Sequence, residues 1–143
     1  MLFVLAIAIP TALVAPSAYS QTVKALLLFG GVDHKTYLGC LNCASTAASS
    51  ICNEYGKYGS QFQTVSIWNQ FGTYGSEFSS VSPWNQFSST APIIVDADGK
   101  SYGYFSLNEF HHDRTRIKWL VAVLDLQAKD GNLETKRSMM CGD

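Results

Sequence analysis

The chain has 143 residues, of which 15 % are charged, and a formal net charge of −1 at neutral pH. That is one domain's worth of sequence. Its Lys and Arg are scattered rather than gathered on one face, so nothing is built to follow a phosphate backbone and nucleic acid is excluded as a partner. Ser, Thr, Asn, Gln, Gly and Tyr replace the missing charges, a neutral polar surface suited to glycan, cell-wall polymer or another protein outside the cell.

Met1 to Ser20 holds no charged residue, runs apolar from Leu2 to Val14 and ends in Ala18-Tyr19-Ser20. The small-x-small ending predicts a signal peptide over 1–20, cleaved before Gln21, with 21–143 as a single secreted domain. The rival, an uncleaved anchor, would have to cross a bilayer with fewer than the ~20 apolar residues needed and with Pro10 and Pro16 inside. The mature protein is expected to be secreted or periplasmic, without a stable membrane span.

Ala25 to Phe29 and Thr36 to Leu41 read as two strands around the Gly30-Gly31-Val32-Asp33-His34-Lys35 loop. Four cysteines follow the pattern of an oxidising compartment, where an even number means two disulfides. Cys43 with Cys52 closes a loop of small residues, which leaves Cys40 for Cys141; Cys40 with Cys52 competes. Cys40-x-x-Cys43 also has the spacing of half a zinc knuckle or of a redox pair, but it has no second close pair and only weak thioredoxin-like context.

A block then repeats every 16 residues: NEYGKYGSQFQTVSIW over 53–68 and NQFGTYGSEFSSVSPW over 69–84, nine of 16 positions being identical. A third copy starts at Asn85-Gln86-Phe87, and Ser50-Ile51-Cys52 is the end of an earlier one, so the repeat block spans 50–87. Fixed-period similarity means one unit laid against copies of itself. Ser50, Ser66 and Ser82 stand where a helix N-cap belongs, Pro83 at a first helical position, and Gly56 and Gly72 where a left-handed C′ residue is wanted. Each copy is therefore expected to open with a helix of one to two turns and continue as a loop.

Pro92 to Val95, the Asp96-Ala97-Asp98-Gly99 turn and Ser101 to Leu107 form a second hairpin. Asp96-x-Asp98-Gly99 lacks the Gly and Glu positions of an EF-hand and reads as a turn. Ile117, Leu120, Val121 and Leu124 mark an amphipathic helix over about 114–127, capped by Asp113 or Thr115, with a strand through Val121-Ala122-Val123 as the competing reading. The last dozen residues are polar and expected to be loose unless Cys141 is bonded.

The recurring rings Tyr58, Tyr74, Phe62 and Phe78 are the candidate ligand-binding residues. Trp68 and Trp84 face a core instead, because Cys52 takes their place in the earlier copy. The Tyr positions are the better candidates for exposure, since a phenol keeps its hydroxyl wet. His111-His112-Asp113 has no partner at metal-ligand spacing, and no nucleophile elbow, P-loop or dinucleotide fingerprint is present. No catalytic residue, metal or cofactor is expected.

LLLFGGVDHKTYLGCLNC, ICNEYGKYGS, SPWNQF and PIIVDADGKSYGYFSLN together resemble a group of small uncharacterised secreted bacterial proteins, over roughly Leu26 to Leu124. The resemblance implies a secreted bacterial origin and no particular activity. The expected fold is α+β: a small antiparallel sheet from two hairpins flanking an array of short 16-residue helical repeats, plus one C-terminal amphipathic helix. The expected function is a non-catalytic recognition or envelope-associated module. The alternative is a small extracytoplasmic enzyme or thiol protein centred on Cys40, Cys43 and His111.

Overall fold

The computed structural model of the chain describes residues 23–142; the leader expected over 1–20 lies outside them. Four strands, β1 (Leu27–Gly30), β2 (Thr36–Cys40), β3 (Ile93–Val95) and β4 (Ser101–Tyr104), form one antiparallel sheet in the order β2-β1-β3-β4. The two hairpins join through their first strands, Leu28 opposite Ile94. Leu28, Leu38 and Ile94 are fully buried beneath them. In the β3–β4 turn Asp96 Oδ1 accepts from the backbone of Asp98 (2.9 Å) and Lys100 (3.0 Å), and its Oδ2 from the Tyr102 hydroxyl (2.9 Å). Burial alone would raise this carboxyl. Those hydrogen bonds and the nearby Lys24 ammonium outweigh it and hold Asp96 below the ordinary carboxylate range.

The helical repeats expected over 50–87 are not there. Residues 53–84 contain neither helix nor strand, and the chain instead makes a train of tight turns. Asn53 N–H donates to Ser50 O, Gly56 to Asn53, Ser60 to Gly56, Gln63 to Ser60, Ser66 to Gln63 and Asn69 to Ser66. Four three-residue steps and one four-residue step thus close each 16-residue coil. Ser50, Ser66 and Ser82 do accept a backbone hydrogen bond, from Cys52, Trp68 and Trp84 at 3.0–3.2 Å. The same bond serves an N-cap and an isolated Ser turn. What decides is the next step: three residues on, Asn53, Asn69 or Asn85 begins its own turn, so no helix propagates.

The repeat glycines likewise have another role. Gly56 and Gly72 do not adopt the left-handed conformation expected of them. A Cβ at Gly59 or Gly75 would lie 2.1 Å from the carbonyl oxygen of Asn53 or Asn69, so what these two positions need is backbone-to-backbone contact.

Inside the array, Ile51, Ile67 and Pro83 are all buried, as is the column Cys52, Trp68, Trp84. Trp68 Nε1 donates to Ile51 O (2.7 Å) and Trp84 Nε1 to Ile67 O (2.6 Å), one coil back. The two indoles stack with centroids 5.7 Å apart, and Trp84 meets Phe105 edge-on at 5.3 Å. Each buried ring carries a large apolar area and here also satisfies its N–H. The sheet rests on this array coil by coil. A Cβ at Gly39 of β2 (φ +116°) would sit 2.8 Å from Tyr58 Cβ, and one at Gly30 of β1 would sit 3.2 Å from Tyr74 Cε1.

Two helices follow. Helix α1 (Lys118–Asp130) buries Leu120, Val123, Leu124 and Gln127; it starts later than expected, from Ile117, with no side-chain cap. Thr115 Oγ1 accepts from Ile117 N–H instead, at 3.3 Å. The tail, expected to be loose unless Cys141 is bonded, has that bond and forms helix α2 (Leu133–Cys141), capped by Asn132, whose side chain accepts from Thr135. The buried Lys136 ammonium reaches both oxygens of Asp130 at 2.7 Å and holds that carboxyl below its usual value.

Both disulfides form, but between other partners than those expected. Cys40 bonds Cys43 and Cys52 bonds Cys141, with Cα separations of 5.5 and 5.3 Å. The end of β2 is tied to the start of the array by Cys40 N–H to Ser49 O and Ile51 N–H to Cys40 O, and Cys43 follows within the same turn. Cys52 points into the tryptophan column, at its open end, where the end of α2 arrives. It fills the missing ring's place, as its position implies, with Cys141 rather than Cys43 as partner.

Candidate functional site

The outer surface of the array carries the unusual chemistry. In the triplets Asn53-Glu54-Tyr55, Asn69-Gln70-Phe71 and Asn85-Gln86-Phe87 the Asn Oδ1 accepts from the N–H of the aromatic residue at 2.9–3.2 Å. Each Asn also donates through Nδ2 to a carbonyl six residues back, on Ala47, Gln63 and Ser79. A fourth triplet, Asn108-Glu109-Phe110, makes the same turn at 3.0 Å outside the repeats. It is laid on the last coil by Leu107 N–H to Pro83 O (2.7 Å) and Asn108 Nδ2 to Ser88 O (3.0 Å). Ser60-Gln61-Phe62 and Ser76-Glu77-Phe78 form a second row in which the Ser hydroxyl takes the place of the Asn.

The six rings Tyr55, Phe71, Phe87, Phe110, Phe62 and Phe78 are 82–94 % exposed. Single exposed apolar side chains are ordinary, whereas six exposed rings that recur in the same turn are not. The translation that sets Trp68 over Trp84 carries Tyr55 to Phe71 and Phe62 to Phe78, so each coil adds one ring to each row. The residue before each ring is an exposed Glu or Gln. At the first rung the Tyr55 phenol is pushed up, chiefly by its hydrogen bond to the Glu54 carboxylate.

Grooves run where the two helices meet these rows. Tyr55 and Phe62 line one of 530 Å³, with Glu134 and Arg137 of α2 opposite. Gln61 and Gln70 line the next, against Asn132 and Leu133. Phe78 and Phe87 line a third of 430 Å³, walled by Trp84 and by Gln127 of α1.

Of the ring positions singled out in the sequence, Phe62 and Phe78 lie in these rows. Tyr58 and Tyr74 do not: both are half-buried against the sheet, Tyr58 edge-on to Tyr37 with centroids 4.9 Å apart. Their hydroxyl does not keep them outside, because β1 and β2 present glycines that let the rings close in. The signal for the missed rings is the Asn-(Glu/Gln)-aromatic triplet, which recurs four times, once beyond the repeats.

His111 lies against Tyr104, its Nδ1 2.6 Å from His112 O and its Nε2 3.2 Å from Ser89 O. Cys40 and Cys43 are bonded to each other. Among the described residues no hydrogen bond or ring contact joins His111 to either cysteine, and no three His, Cys, Asp or Glu converge as a metal site. The two disulfides fit an oxidising compartment. No helix among the described residues is long and apolar enough to cross a membrane. No protein-family model, curated protein or solved structure matches the chain.

Proposed function

We propose that this protein is a non-catalytic recognition module, secreted or periplasmic and of bacterial origin, that binds an extended neutral glycan such as a cell-wall polymer. The observation that carries this reading is the pair of exposed aromatic rows, repeated with the coil and flanked by Glu and Gln. Flat rings stack on the C–H faces of sugars, and amides and carboxylates beside them take the hydroxyls. The row residues include neither Lys nor Arg, which disfavours phosphate-bearing polymers. Because each ring's backbone is held by Asn or Ser within its own coil, little order has to be gained on binding.

The test is co-sedimentation of the exported protein with insoluble polysaccharides and purified cell wall. Wild type is expected in the pellet and the Phe71→Ser/Phe78→Ser double variant in the supernatant. Retention of both proteins in the supernatant, or concentration-dependent dimerisation lost in the double variant, would sink the glycan reading in favour of a protein partner.

A further inference from the structure

Resting on the glycan reading, we infer that the polymer lies along the array axis as one extended chain, one sugar to each coil, in a trough between the repeats and the α1–α2 turn. Two of the grooves beside the helices are one groove repeated. Gln61, Trp68 and Gln70 line the first, and Glu77, Trp84 and Gln86, each 16 residues further on, line the second. Their volumes are 410 and 430 Å³. Gly131 lines both, so they adjoin at the turn between the helices. The first also shares Gln61, Glu134 and Arg137 with the groove beside Tyr55 and Phe62. The trough thus reaches residues of three successive coils.

A site repeated by translation suits a ligand that repeats by translation. The two grooves are one coil apart, the step that separates the stacked Trp68 and Trp84 rings by 5.7 Å, and an extended β-1,4-linked chain advances by close to that length per sugar. Gln61, Gln70, Glu77 and Gln86 are all exposed, which leaves their amides and carboxylate open to sugar hydroxyls. A primary amide both donates and accepts, as a hydroxyl does. The turn beside them is braced, Asn132 N–H donating to Asp130 Oδ1 at 2.8 Å and Gly131 N–H to Gln127 O at 2.9 Å, so the trough needs little ordering when a chain enters.

NMR titration of the exported protein with β-1,4-linked glucose and N-acetylglucosamine oligomers, from the disaccharide to the hexaose, tests this. In at least one series affinity should rise about three- to tenfold from disaccharide to trisaccharide, as one more sugar gains a neutral hydrogen bond, and stay within about threefold from there to the hexaose. Glu77→Ala/Gln86→Ala should weaken hexaose binding about tenfold but leave the disaccharide, which still has the first groove, within about twofold of wild type. A structural role for these two residues would weaken both ligands alike, and that result would overturn the trough. Equal affinity across the series, or wild-type affinity for the hexaose in the variant, would overturn it as well. Sedimentation with an insoluble polymer but no binding of either hexaose would overturn the trough and leave the glycan reading standing. No binding by wild type to any oligomer or polymer would overturn both.

Discussion

The sheet and the coil array lie against each other and satisfy their backbones by different means. In the sheet, strand bonds to strand, and side chains are left to alternate between core and solvent. In the array the backbone closes on itself every third residue or so, and side chains of Ser and Asn occupy the remaining donors. At the tip of the β3–β4 turn space is open, nothing lying within 4 Å of a Cβ at Gly99. The array has little slack, because its polar side chains and its glycines are part of the backbone's own hydrogen bonding. The contrast also separates two faces of one coil: the inner face holds the fold, and the outer rings contribute little to it.

The two disulfides give the largest test of that contrast. Cys52–Cys141 spans 89 residues of sequence and Cys40–Cys43 only 3. Chain-entropy reasoning assigns roughly 4–5 kcal/mol to the first and about 2 kcal/mol to the second. Urea denaturation of Cys52→Ser/Cys141→Ser should show the larger loss, with α2 detaching. A larger loss in Cys40→Ser/Cys43→Ser would mean that the array's closure does not depend on α2.

Glycines give the next largest. Gly75→Ala drives a methyl group into the Asn69 carbonyl and should cost about 3 kcal/mol or more. Gly99→Ala in the sheet's turn, with φ +81° and nothing within 4 Å, should cost only about 1–2 kcal/mol, for the left-handed conformation alone. Equal midpoints for the two variants in the same denaturation series would refute the distinction.

A smaller effect is expected from pH. A carboxyl depressed on folding contributes stability that is fully present above its unfolded pKa of ~3.9 and is lost as pH falls through the folded value. Thermal melts of wild type should thus fall away below about pH 4, partly through Asp96. Asp96→Asn should be less stable at neutral pH and show a shallower acid limb. An identical acid limb in the variant would exclude the β3–β4 turn as a source. Smallest of all, Phe71→Ser/Phe78→Ser should stay within ~0.5 kcal/mol of wild type, as exposed positions do. A clearly lower denaturation midpoint would show that the outer rows serve the fold.

Parts of this architecture are legible in the chain because their causes are local. The β-branched run at Ile93 to Val95 and the Asp98-Gly99 turn place β3 and β4, and the stripe through Leu120 and Leu124 places α1. The period of the array is equally plain, but its conformation is not. A Ser before an apolar pair starts a helix or a single turn with the same hydrogen bond, and only the next turn-forming residue decides. Helix α2 is hidden for a different reason: it is held by Cys52 and by the Lys136–Asp130 pair, and the disulfide spans most of the chain. The candidate site was half visible. Ring positions in the repeats could be counted, but whether Tyr58 or Tyr55 faces solvent depends on which side of the coil the sheet covers.

The contacts of Tyr58 beneath β2 and of Tyr74 beneath β1 have one more consequence. Neighbouring strands lie ~4.8 Å apart, and each of these strands rests on a successive coil. The two lattices are thus commensurate, like a crystal layer grown on a matching substrate. The chain leaves the sheet at β2 and returns at β3, two strand spacings away, having advanced by two coils. Inserting or deleting 16 residues would displace β3 by one lattice step and leave β1 either unpaired or without room. The number of coils, and with it the number of rings in each outer row, is set by the sheet.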